Sequence, residues 1–147
     1  ALNPYEAGYP GIDNPGPVAS ATAAKMSAQV SLALALTEGR VTPDGLGRFA
    51  APEVRALARR VAVRADPGVA ERLSVLTLRL ADGRVLRGAV ERPVGQPDLA
   101  GIAAFARGLA PEMGCDAAEA EAMVAAVAAL DRAESVAPLL SACLPPR

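Results

Sequence analysis

Lys25, Ser27 and Gln29 are the side chains in this sequence whose types and spacing suit work on an anion. They lie in the stretch "ASATAAKMSAQVSLALALTEGR", residues 19–40. Read as one helix, Thr22, Lys25 and Gln29 share a stripe at i, i+3 and i+7, and Ser27 and Ser31 form a second, shorter one. Thr22, Lys25, Ser27 and Gln29 fall in the N-terminal half, where unpaired backbone N–H groups and the positive end of the dipole favour anions. An exposed lysine there is disfavoured by about 0.3–1 kcal/mol, and a bound carboxylate or phosphate reverses that sign. The other reading is a lysine that snorkels past the end of a buried helix. Spacing alone leaves both open.

Other chemistry is narrowed by what the chain lacks. There is no histidine among the 147 residues. That removes the commonest general base and zinc ligand, and with them any Ser-His-Asp or Cys-His scheme within this chain. Proton transfer would have to use Lys, Asp, Glu, Tyr or Cys, or groups from another chain. Asp13 and Asn14 sit in a Pro/Gly loop, where they are ordinary turn residues or the lining of a pocket. Cys115 follows Gly114 near a helix start, a place that can lower a thiol pKa, but no Lys or His neighbours it in sequence. Cys115 and Cys143 read as two reduced, partly buried thiols. Glu119, Glu121 and Asp131 read as a solvated face. No phosphate loop, dinucleotide fingerprint or metal spacing occurs.

Basic and acidic residues nearly cancel, 15 against 16, and no basic block stands out. With no Trp, two Tyr and two Phe, the chain lacks the cationic stripe and stacking aromatics of a nucleic-acid binder. No apolar run, Leu32 to Leu36 included, is long enough to span a bilayer. Nothing resembles a signal peptide, so the default compartment is the cytoplasm.

The elements that must position the polar cluster follow from caps and periodicity. Residues 1–18 read as an ordered loop that Tyr5, Tyr9 and Ile12 could pin to a surface. Ser20 as N-cap and Gly39 as C′ residue predict a helix over about 21–38. "TPDGLGRF" reads as a turn or short helix, and "APEVRALARR" as a helix with Val54, Leu57 and Ala58 on one face. "VAVRAD" reads as a short third strand. "LSVLTLRLADGRVLRGAVE" is a β-hairpin at Asp82-Gly83. A three-residue loop with Gly83 in the left-handed region pairs Leu80 with Arg84. It puts Leu76, Leu78, Leu80, Leu86 and Val90 on one buried face, with Thr77, Arg79, Arg87 and Glu91 on a wet one. Asp98 caps a helix through about Leu109, an alanine-rich helix runs over about 117–134, and a last helix over about 136–143 stops at Pro145-Pro146. The fold class is α+β: a small antiparallel sheet with helices packed on one face. The length predicts one domain, with a loop over 1–18, an α+β part over 19–97 and a helical tail over 98–147.

Within "PGPVASATAAKMSAQVSLALALTEGRV" the chain resembles the MmgE/PrpD family of 2-methylcitrate dehydratases, cis-aconitate decarboxylases and iminodisuccinate epimerases. The family pattern is a Pro, a small-residue turn, a Lys or Arg, a Ser, often Gln plus an aromatic, then an apolar helix ending in Gly. Pro17, Lys25, Ser27, Gln29 and Gly39 match it. The likeness continues through "APEVRALARRVAVRAD", the hairpin and the tail "AMVAAVAALDRAESVAPLLSA", and it is to the C-terminal portion of the family. Two departures stand out. Val30 occupies a position where many relatives carry Phe or Tyr, and Ala104 replaces the Lys common before Phe105, in a loop that is shorter than usual.

The resemblance implies a division of labour. Full-length members are much longer, with a helical domain and a smaller α+β domain flanking the active-site cleft. Asp and His acid/base groups come mostly from the helical domain, which this chain lacks, and the chain starts after the first strand of the α+β domain. The implied role is therefore the C-terminal part or small subunit of a lyase or epimerase, active only when assembled with a helical chain as a hetero-oligomer or dimer. Lys25, Ser27 and Gln29 would bind a small carboxylate substrate. No metal or organic cofactor is implied. The alternative is a non-catalytic interaction module that retains the fold.

Overall fold

The computed structural model describes residues 1–91 and 97–144. Pro145-Pro146 and residues 92–96 of the shortened loop lie outside the described residues. The fold is α+β: short helices and one two-stranded antiparallel hairpin, in two compact units, Ala1–Gly95 and Gln96–Arg147.

In the first unit the helices are α1 (Pro4–Ala7), α2 (Ala21–Met26), α3 (Ala28–Glu38), α4 (Pro43–Gly47) and α5 (Pro52–Ala58). Ala24 of α2, Val30, Ala33 and Leu34 of α3, and Val54 and Ala58 of α5 form one buried cluster, with Val18, Leu46, Phe49 and Leu57 packed around it. Full burial of Leu34 and Val54 contributes about 1.5–3 kcal/mol each. Gly39 closes α3 in the left-handed conformation at φ 78°, as its place after the apolar run predicts.

The single helix expected over 21–38 is two helices. Ser27 leaves the helical region (φ −81°, ψ 117°) and is at once the C-cap of α2 and the N-cap of α3. Its Oγ accepts from Val30 N at 3.1 Å, while Ile12 O accepts from Ala28 N at 3.0 Å. Local hydrogen bonds thus replace the helical ones that the break removes. The break also reverses the dipole argument for Lys25. It lies in the last turn of α2, where the negative end of the helix favours a cation.

Strands β1 (Ser74–Arg79) and β2 (Val85–Val90) take the predicted register, with Leu78 opposite Leu86 and Thr77 opposite Arg87. Leu80 N donates to Arg84 O, Gly83 N donates to Leu80 O, and Gly83 sits at φ 87°, the conformation a three-residue loop requires. The expected buried face is only half covered: Leu76, Leu78 and Leu80 are half-buried, whereas every residue of β2 is exposed.

"VAVRAD" is not a strand. Only Ala65 bridges, to Leu2, which also bridges Ser74. Leu2 N donates to Arg64 O and Leu2 O accepts from Asp66 N. The ladder stops because Asn3 and Pro4 turn the chain into α1, and a proline has no N–H to extend it. The opening segment is held by this bridging and by Asn3 Nδ2, which donates to Val69 O at 3.0 Å. Tyr5 and Tyr9, expected to pin it, are largely exposed and meet each other edge to face.

The second unit holds α6 (Leu99–Leu109), α7 (Ala117–Ala128) and α8 (Ala137–Cys143). Asp98 caps α6, and Asp116 with Glu119 forms a reciprocal capping box on α7. The helix expected over 117–134 ends at Ala128 and tightens into a 3₁₀ turn at Leu130–Arg132, since its last carbonyls lack helical partners. Among the described residues here the buried apolar ones are three alanines, Ala103, Ala110 and Ala120, while Ile102, Phe105, Leu130 and Leu140 are exposed. Cys115 is half-buried and Cys143 exposed, both as free thiols.

Candidate functional site

The break at Ser27 joins the expected site residues to the loop that precedes α2. Ser27 and Gln29 are 0% and 1% exposed, so each buried polar group needs a partner. Ser27 Oγ donates to Asn14 O at 2.5 Å as well as accepting from Val30 N. Gln29 Oε1 accepts from Asn14 N at 3.0 Å, and Gln29 Nε2 donates to Asp13 Oδ1. Asn14 Oδ1 in turn accepts from Gly16 N at 3.0 Å, an Asx turn that starts the Gly16-Pro17 cis peptide. Ser27, Gln29, Asp13 and Asn14 therefore form one hydrogen-bonded clamp between α3 and the loop.

Ser27 and Gln29 have their hydrogen-bonding groups directed into this clamp, not at solvent. The start of α3 is likewise filled by protein groups, Ile12 O on Ala28 N and Ser27 Oγ on Val30 N. Lys25 stands apart from them: it is exposed and forms no ion pair among the described residues. The structure thus brings Ser27 and Gln29 together and leaves Lys25 beside them as a solvated cation. Sequence reasoning read Asp13 and Asn14 as turn residues with a possible pocket role. Their partnership with Gln29 spans 15 and 16 positions, beyond what local spacing reveals.

Arg55 on α5 and Arg59, its C-cap, are a pair that sequence reasoning passed over, although their i, i+4 spacing puts both on one face. With Pro17, Val18, Val30 and Phe49 they line a hollow of about 90 Å³. Val30, where the resemblance expects an aromatic, is 3% exposed and forms part of that lining. Among the described residues no cluster of His, Cys, Asp and Glu suits a metal ion, and no helix is long and apolar enough to cross a membrane.

A family model, the MmgE/PrpD C-terminal domain, matches residues 2–100. The chain belongs to the MmgE/PrpD family. The match takes in the clamp, the hollow and the hairpin of this MmgE/PrpD C-terminal domain, and it stops at the start of α6, so the helical tail lies beyond it. Nothing among the curated proteins and nothing among the solved structures matches the chain.

Proposed function

We propose that the chain is the α+β part of an MmgE/PrpD-type enzyme that acts on a small carboxylate. The reaction is proton abstraction next to the carboxylate, followed by loss of water or by reprotonation, with the acid/base groups on a separate helical chain. The family match over residues 2–100 carries this reading. The absence of histidine agrees with acid/base groups that lie elsewhere. In the second unit the buried apolar residues are alanines while Phe105, Ile102 and Leu140 are exposed, which suits a helical partner.

Within this reading Lys25 is the residue that meets the substrate carboxylate. Its exposure and its lack of an ion pair among the described residues leave the ammonium available. Ser27 and Gln29 act at the same site by fixing the adjoining loop, since both side chains are buried and bonded to it.

Lys25→Met keeps the apolar stem and removes the charge. The fold is expected to be unaffected, because the side chain is exposed. In the assembled enzyme a charge-assisted hydrogen bond is worth about 1.5–3 kcal/mol, so kcat/KM is expected to fall by about 10- to 150-fold. Unchanged kcat/KM in the complex with a helical chain would remove Lys25 from the site.

A further inference from the structure

The hollow between the Pro17-Val18 segment and α5 is lined by apolar side chains and by two exposed arginines. Val18, Val30 and Phe49 supply the apolar lining, each of them part of the hydrophobic core or packed against it. Arg55 and Arg59 line the same hollow, and neither has an ion pair or hydrogen-bonded side-chain partner among the described residues. Two like charges at i, i+4 repel each other. The neighbouring Arg48 on the same unit shows the contrast, since it pairs with both Glu38 and Glu53. The negative end of α5 explains cations at that terminus, but not why both flank one concave apolar surface.

We infer that this hollow binds a small monocarboxylate with a short branched apolar body, the carboxylate on Arg55 and Arg59 and the body on Val18, Val30 and Phe49. A guanidinium presents parallel donors that match a carboxylate, and a bound anion turns the repulsion of the pair into attraction. A volume of about 90 Å³ limits the apolar part to a short chain. For scale, an enclosed apolar cavity of about 150 Å³ takes up benzene, so only a smaller apolar body can sit wholly within the hollow. The walls are held in place on one side by the clamp on Asp13 and Asn14 and on the other by the burial of Val54 and Ala58 in α5. The site uses neither Lys25 nor a partner chain, so it stands whether or not the chain takes part in catalysis.

The test is direct binding to the full chain, with 3-methylbutanoate as probe and its neutral amide and inorganic phosphate as controls. Methyl signals of Val18 and Val30 and the ring signals of Phe49 are followed by NMR. Saturable shifts at these three residues with a Kd below about 10 mM are expected for the acid. The amide and phosphate are each expected to bind at least about tenfold more weakly, since each lacks one half of the match. Arg55→Gln with Arg59→Gln is expected to raise the Kd at least about tenfold, whereas Arg60→Gln, an exposed change on the same segment outside the lining, leaves it unchanged. Both arginines are exposed, so the doubly substituted chain should fold, and a circular dichroism melt checks this. Absence of shifts, equal binding of phosphate or amide, or an unchanged Kd in the double variant overturns the proposal. Since turnover is not measured, loss of this site and loss of the Lys25 site read out separately.

Discussion

Replacing Ser27 by alanine removes the one hydroxyl that both starts α3 and anchors the loop before α2. The side chain has no exposure to solvent, so water cannot take over either role. Loss of the N-cap bond to Val30 N costs about 1 kcal/mol. Loss of the donor to Asn14 O costs about another 1 kcal/mol, because a half-buried carbonyl then lacks that hydrogen. The contact to Gln29 Oε1 at 3.5 Å adds little, since one hydroxyl hydrogen cannot serve both acceptors. The sum, about 2 kcal/mol, corresponds to a Tm lower by about 4–10 °C for a protein of this size. The chain has no Trp, so urea unfolding is best followed by far-ultraviolet circular dichroism. A cycle with Gln29→Met should show coupling of about 0.5 kcal/mol or more, because both side chains hold Asn14. A loss below about 0.5 kcal/mol for Ser27→Ala, or strict additivity with Gln29→Met, would refute the clamp as an energetic unit.

Two other outcomes are expected. Gly83→Ala should destabilise by about 1 kcal/mol through backbone strain alone, because no atom lies within 4 Å of the added methyl, and a neutral denaturation curve would reject the left-handed turn. Arg107, by hydrogen bonding first and charge second, holds the Glu121 carboxyl below its ordinary value of 4.5. Its contribution is therefore fully present above that pH and lost as pH falls through the lowered pKa. Carboxyl titration by NMR should show this shift, abolished in Arg107→Gln, with only a small effect on stability for so exposed a pair.

The hairpin was legible because its register segregates leucines from arginines, and a one-residue slip would set Arg87 opposite Leu78 on the leucine face. The caps at Ser20 and Asp98 were legible because their partners lie three residues on. The break at Ser27 was not. Serine suits an exposed helical stripe as well as an N-cap, and what decides between them, Asn14 O and Ile12 O, comes from a loop distant in sequence. The third strand failed for a similar reason. A β-branched alternation in "VAVRAD" cannot show that its bridge partner among the described residues is a single one, Leu2, two positions before a proline. At the candidate site, residue types pointed to Lys25, Ser27 and Gln29, but burial divides them, and burial is a property of packing that spacing does not carry.

The insertion of Leu2 between Ala65 and Ser74 has a kinetic consequence. The hairpin closes over three residues and can form within microseconds, alone. The opening segment instead meets its partners across long loops, as with Asn3 and Val69, which are 66 positions apart. Closing such a loop carries an entropic cost before any contact repays it, and pairing of this kind slows folding. The chain should therefore collapse around α3 and α5 first and receive its opening segment last. Removing that segment's contacts, for example with Asn3→Ala, should speed unfolding while leaving the folding rate nearly unchanged.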